Sequence, residues 1–193
     1  MVNMPTKGIL NENYYFGLTP LDSDSFYGGK NHLNKYLRTK FGKRFFVISD
    51  QMASFIGLFD RRSPQNSIMS NSYAEKKSNL EVINEARGDV LIAGLGIGLI
   101  VLPIMNKPEV KSVDIVELRK EIIDLIVPQL PLNDKVKIIN ANAFSFQTDK
   151  KYDIIYSDTN ADEDTVNLGA VAKEYFKQYL KKEGKVLVFN WVK

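Results

Sequence analysis

From Ala93 to Leu99 the chain reads Ala-Gly-Leu-Gly-Ile-Gly-Leu, with glycine at 94, 96 and 98. No other feature narrows the possible folds so much. The run follows a short apolar stretch, Asp89–Ala93 (DVLIA), and precedes Leu99–Met105, an apolar segment of helical character closed by Lys107–Pro108. A strand that passes through glycines into a helix turns sharply. Its backbone must also come close to whatever lies above it, and a Cβ would obstruct both.

The segments that follow keep one rhythm. Ser112–Val116 (SVDIV), Val136–Asn140 (VKIIN), Tyr152–Ser157 (YDIIYS) and Lys185–Trp191 (KVLVFNW) read as further strands. Helices are expected over Arg119–Gln129 and Leu168–Leu180, the second with Val171, Ala172, Tyr175, Phe176 and Tyr179 at helical spacing. Strands that are nearly continuous apolar runs, alternating with helices, imply a parallel sheet covered on both faces. Right-handed crossovers make it doubly wound. The expected fold class is therefore α/β, a doubly wound Rossmann-like sheet that stops after its fifth strand.

The region before this domain reads differently. Residues 1–40 are rich in Asn, Tyr, Gly and Lys with weak periodicity, apart from a short helix near Asn31–Leu37. Lys43–Ser49 and Ser54–Phe59 are rich in aromatic and β-branched residues and read as a β-hairpin. Arg61–Asn71 is a turn-rich joint with room for one short strand, and a helix is expected from Ala74 to Ala86. This gives an N-terminal irregular and hairpin region over 1–71 and the Rossmann-like domain over 72–193.

Composition excludes several classes. The absence of cysteine removes disulfides and thiolate metal sites, and a single histidine, His32, removes histidine clusters. A net charge of +3, from 26 basic and 23 acidic residues, lacks the excess a nucleic-acid surface needs. No apolar run has the length of a membrane span or a signal peptide. The expectation is a cytoplasmic protein, with no membrane or nucleic-acid partner and no bound metal.

Ligands of such sheets sit beyond the carboxyl ends of the strands, where the strand order switches. The dinucleotide fingerprint, G-x-G-x-x-G, would need glycine at 99, where Leu99 stands. Gly94, Gly96 and Gly98 instead suit a nucleoside without a pyrophosphate. Glu117 follows the strand SVDIV and lies 19 positions after Gly98. There a carboxylate can accept hydrogen bonds from both ribose hydroxyls. The alternative is a solvent-facing Glu at a helix start. Asn142, after the third strand, can pair with an adenine edge or close an Asx turn. Asp158, at the tip of the fourth strand, can take a proton from an incoming nucleophile or cap a short helix through Asp162–Asp164. The acidic cluster Asp158, Asp162, Glu163 and Asp164 would attract a cationic amine, or is simply a solvated loop. Tyr14, Tyr15, Phe16, Phe26 and Tyr27 would cover the substrate or anchor the N-terminal segment.

In order, VLIAGLGIG, VDIVEL, INANAF and YDIIYSD resemble the motif series of the Rossmann-like S-adenosylmethionine-dependent methyltransferases, over about 120 residues from Tyr73 onward. Within that superfamily they look most like the spermidine-synthase-like branch. Ile92 stands where methyltransferases usually carry an acid, and a hairpin precedes the fold. The resemblance implies S-adenosylmethionine, or its decarboxylated form, as cofactor. It implies Gly94, Gly96 and Gly98 as the cofactor loop, Glu117 on the ribose, Asn142-Ala143 in place of an Asp-Ala pair at the adenine, and Asp158 as the catalytic carboxylate, one that orients the donor or accepts a proton. It also implies a small-molecule acceptor, an amine among the candidates, and leaves room for a homo-oligomer.

The departures concern the reaction. Ala161 replaces the second aspartate of aminopropyltransferases, and Ser157-Asp158-Thr159-Asn160 is not the motif of amino-methylating DNA enzymes. Phe189-Asn190 lacks one ligand of the late Asp-Asn pair in cation-dependent O-methyltransferases. Most members continue for two further strands, so the N-terminal hairpin or a partner chain would complete the sheet edge. Three classes stay open: a methyltransferase, an aminopropyltransferase, and a degenerate binding or assembly module.

Overall fold

The computed structural model describes residues 33, 36–50, 55–159 and 168–189. An antiparallel sheet comes first in the chain. Its strands β1 (Lys40–Phe41), β2 (Phe45–Asp50), β3 (Phe55–Asp60) and β4 (Ser67–Ser70) lie side by side in that order. The expected hairpin is thus the middle of a four-stranded sheet, and β4 occupies the turn-rich joint. Alternation decides what each face buries. Phe45, Val47, Ile56, Leu58 and Met69 enter the main core, while Phe46, Phe55 and Phe59 form a small cluster on the other face. There the rings of Phe46 and Phe59, cross-strand partners, stack at 5.2 Å.

Two short helices follow, α1 (Tyr73–Ser78) and α2 (Leu80–Glu85). The sequence suggests one continuous helix, but Asn79 interrupts it. Its side chain is wholly buried, donating to the Glu75 carbonyl at 2.8 Å and accepting from the Tyr156 hydroxyl at 2.7 Å. A tertiary hydrogen bond here wins over local helix periodicity.

The remaining elements are β5 (Gly88–Ala93), α3 (Val101–Met105), β6 (Val110–Glu117), α4 (Lys120–Ile126), β7 (Val136–Asn140), β8 (Tyr152–Ser157), α5 (Leu168–Phe176) and β9 (Leu180–Val188). Their strands form one parallel sheet in the order β7-β6-β5-β8-β9. This is the doubly wound α/β arrangement, with its switch in order between β5 and β8. Along β5 the buried residues alternate between two cores. Val90 and Ile92 face α2, α3, α4 and the antiparallel sheet, whereas Leu91 and Ala93 face α5 through Ala172 and Phe176. Each such aliphatic side chain contributes about 1.5–3 kcal/mol when fully buried.

The fifth strand begins earlier than expected, at Leu180, and residues 190–193 lie outside the described ones. The N-terminal strands do not complete the sheet edge. Among the described residues the two sheets share no strand pairing. The antiparallel sheet instead docks on α4, where Glu121 Oε1 accepts from the Arg44 and Phe45 amides at 2.8 and 3.4 Å. Among the described residues no helix is long and apolar enough to cross a membrane.

Candidate functional site

At the switch point the tips of β5, β6 and β8 are tied together. The Gly94 amide donates to the Val116 carbonyl and the Asp158 amide to the Ala93 carbonyl, both at 2.9 Å. Gly94 has φ 102°, and a Cβ there would stand 2.6 Å from the Asp158 carbonyl oxygen. Gly96 has φ 52°, and a Cβ on it would collide with Met69 Sδ from the sheet above. Both positions require glycine for conformation and for space.

Glu117 ends β6 and is only 7% exposed. Its Oε2 accepts from the Leu95 amide at 2.9 Å, and its Oε1 accepts from the Arg119 amide at 2.7 Å. The carboxylate therefore braces the glycine turn, and each oxygen keeps acceptor capacity toward the cavity. Asn140, at the end of β7, donates through Nδ2 to the carbonyls of Glu117 and Leu118, at 2.9 and 3.1 Å. Leu118 is 51% exposed on the cavity wall. Neither Asn140 nor Leu118 was singled out from sequence. An apolar residue directly after the strand-end acid is the local signal for Leu118.

Above the strand tips lies a cavity of about 480 Å3, within the range of small-molecule sites. Gly94, Gly96, Glu117, Asn142, Ala143 and Asp158 all line it. Gly98 does not. Its φ is 73° and a Cβ there would press on Leu130, so its demand for glycine belongs to the helix start. Asn142 Oδ1 accepts from the Phe144 amide at 2.9 Å, so the Asx turn is formed and the side chain amide remains beside the cavity. The antiparallel sheet supplies the roof, through Phe45, Leu58, Ile68 and Met69.

A titratable residue of the site also escapes local sequence patterns. Glu75, buried in α1, lines the same cavity. Ser72 caps the helix, accepting from the Glu75 amide at 3.3 Å, and Asn79 and Tyr156 tie the Glu75 backbone to β8. Burial, then the charge of Asp158, push the Glu75 carboxyl up to about 7, against a lowering hydrogen bond from the Ser70 backbone. Burial pushes Asp158 up to about 6, and its carboxyl has no hydrogen-bond partner among the described residues. Nothing local in the sequence reports that the Glu75 carboxyl, one turn into a short capped helix, lines a cavity. Asp162, Glu163, Asp164, His32, Tyr14, Tyr15, Phe16, Phe26 and Tyr27 lie outside the described residues.

No protein-family model and no curated protein matches the chain. Several of the solved structures that resemble it are methyltransferases. The glycopeptide N-methyltransferase MtfA, complexed with S-adenosyl-L-methionine, is 15% identical over 58% of this chain and 48% of its own, with a TM-score of 0.44. DhpI, in complex with SAH, is 18% identical over 57% and 53%, at 0.42. A dimethyladenosine transferase from Plasmodium falciparum is 14% identical over 44% and 30%, at 0.37. The chain spans less than two thirds of the length of each.

Proposed function

We propose that the chain is an S-adenosylmethionine-dependent transferase that acts on a small molecule, a methyltransferase in the first reading. One observation carries this. The turn at Gly94–Gly96 and the buried Glu117 carboxylate, joined through the Leu95 amide, face one cavity at the switch point of the sheet. In this reading Glu117 holds the ribose hydroxyls, Leu118 and Ala143 flank the adenine beside Asn142, and the glycine turn carries the amino-acid end toward Asp158.

The bound cofactor supplies a sulfonium carbon open to in-line attack. The chain's own part is alignment and proton transfer. Asp158, half-buried and with no hydrogen-bond partner for its carboxyl among the described residues, accepts the proton of the attacking amine or hydroxyl. Glu75 holds a second proton nearby, because two carboxyls in one dry pocket resist ionising together. Proton acceptance requires ionised Asp158, so turnover rises with pH through about 6.

One observation favours aminopropyl transfer as the second reading. The lining near Asp158 presents a second carboxyl, Glu75, while the lining arginines 44, 62 and 119 belong to the roof and to the Glu117 end. Among the described residues a methionyl carboxylate therefore meets no cation at Asp158, and the decarboxylated cofactor has no such group.

Calorimetry with S-adenosylmethionine, its decarboxylated form and S-adenosylhomocysteine tests both readings. Binding of the first and third is expected, with a loss of about 100-fold in Glu117→Ala, which removes two charge-assisted acceptors. Preference for the decarboxylated form selects the second reading. If none of the three binds, the cavity is not a cofactor site and the binding or assembly module remains.

A further inference from the structure

The roof of the cavity carries a charged group that the cofactor reading leaves unused. Arg44, just before β2, and Arg62, just after β3, converge on one oxygen, Asp60 Oδ2. Nε and Nη2 of Arg44 donate at 2.9 and 2.7 Å, and those of Arg62 at 3.1 and 3.0 Å. Asp60 Oδ1 accepts from the Arg62 amide at 3.0 Å. Asp60 is buried, and the Arg44 guanidinium lies 4.7 Å over the Phe45 ring, which sets its plane. All three charged residues line the cavity.

Two guanidinium groups on one carboxylate leave one positive charge and unused donors. Among the described residues Nη1 of Arg44 and Nη1 of Arg62 make no hydrogen bond. Arg119, also on the cavity wall, has no partner for its side chain among the described residues; its hydrogen bonds run through its backbone amide and carbonyl. The neighbouring carboxylate Glu121 accepts from backbone amides of Arg44 and Phe45. Paired, planar, pre-oriented N–H forks recognise carboxylate or phosphate oxygens better than any other side-chain arrangement.

Strand register places this group relative to the reacting end. Gly57 of β3 pairs with Ser70, whose backbone holds Glu75, and Asp60 lies three residues further along the same strand. At about 3.3 Å per residue, roughly 10 Å of strand lie between the Gly57–Ser70 pair and Asp60. The cofactor reading assigns the floor, built from the tips of the parallel strands, to the adenosyl group. The opposite wall is then left to the second ligand.

We propose that Arg44 and Arg62, held by Asp60 and joined by Arg119 at the rim, form a subsite for an oxyanion carried by the acceptor. The acceptor is then an anionic small molecule, with its carboxylate or phosphate on the roof and its nucleophile beside Asp158 across the same cavity. This assignment to the acceptor rests on the cofactor reading given above.

The experiment is calorimetric titration of the full chain with inorganic phosphate and with acetate, each with and without saturating S-adenosylhomocysteine. Wild type is compared with Arg62→Gln and Arg119→Gln, and thermal melts check folding. Losing one charged bidentate donor weakens phosphate or acetate binding about tenfold in Arg62→Gln. A smaller loss is expected in Arg119→Gln, which is exposed and unpaired and so reports even if the first variant misfolds. The stronger of the two anions identifies the group on the acceptor. S-adenosylhomocysteine leaves the anion affinity unchanged. The proposal is overturned if neither anion binds wild type, if both folded variants bind as wild type does, or if S-adenosylhomocysteine displaces the anion. Failure of S-adenosylhomocysteine to bind removes the cofactor reading alone, and the phosphate and acetate titrations still decide the subsite.

Discussion

Acidic side chains at the two ends of the parallel sheet are used in opposite ways. At the amino end, Lys181 Nζ donates to Asp89 Oδ2 at 2.6 Å and to Asp153 Oδ2 at 2.7 Å. Lys150 Nζ reaches Asp114 Oδ2 and Ser112 Oγ, both at 2.9 Å, and the Tyr152 hydroxyl donates to Asp114 Oδ2 at 2.8 Å. The Lys181 hydrogen bond holds Asp89 below the usual carboxylate range. Asp153 is also lowered, because Lys181 and the Asp89 amide outweigh its partial burial. At the carboxyl end no lysine or arginine reaches Asp158 or Glu75 among the described residues, and burial drives both upward. The amino end is finished as structure. The carboxyl end keeps two carboxyls with no cationic partner among the described residues, a pattern common where proton transfer is tuned.

The harshest way to break the contrast is to close the carboxyl end. Gly94→Ala places a Cβ 2.6 Å from the Asp158 carbonyl oxygen, at φ 102°. Backbone is the obstacle, so no side chain can yield. A loss of about 3 kcal/mol in denaturant unfolding is expected, with cofactor binding abolished. An unchanged midpoint would mean that the strand tips are not packed as described.

A second change sharpens it through pH. A carboxyl raised from 4.5 to about 7, as in Glu75, is protonated in the folded chain where the unfolded chain has already ionised. The folded state then binds more protons, so stability falls as pH rises from the unfolded value through about 7, and the penalty is complete above it. Glu75→Gln removes that penalty. It should stabilise the protein by on the order of 2–3 kcal/mol at pH 8 and have little effect at pH 4. Thermal melts across pH 4–8 measure this, and a variant equally stable with wild type at pH 8 would show that Glu75 is solvated.

The floor of the site was legible because it depends on local sequence. A glycine turn after an apolar strand, an acid after the next strand and an Asp at a later strand tip each follow from chain order, and Gly94, Gly96, Glu117 and Asp158 share one cavity. The roof was not legible. Arg44, Asp60 and Arg62 meet only when β2 and β3 pair Phe45 with Asp60, and Met69 reaches Gly96 only when the two sheets stack. Glu75 was not legible because its place beside the cavity depends on burial, which no local pattern reports. The helix break at Asn79 hid for the same reason, since its partner is Tyr156, 77 positions away. Gly98 marks the reverse limit, where a motif position serves the turn and not the cavity.

The mildest change tests whether the amino end is structural. Lys181→Met leaves Asp89 and Asp153 facing each other without their shared ammonium. The lysine is 38% exposed, so solvent screens much of the loss and about 1–2 kcal/mol is expected at pH 7. Both acids have lowered folded pKa values, so the stability they give is present above the unfolded value and is lost as pH falls through the folded one. The difference between wild type and variant should therefore shrink in acid, the opposite of the trend for Glu75. The sign is clearest in matched neutralisations on one strand, β8 and its tip. Asp153→Asn should destabilise at pH 8, because Lys181 loses half of its pairing. Asp158→Asn should stabilise there, because no cation is lost and a buried charge is removed. Equal signs for the two would mean that the ends of the sheet do not differ, and that Asp158 is paired in the same structural manner as Asp153.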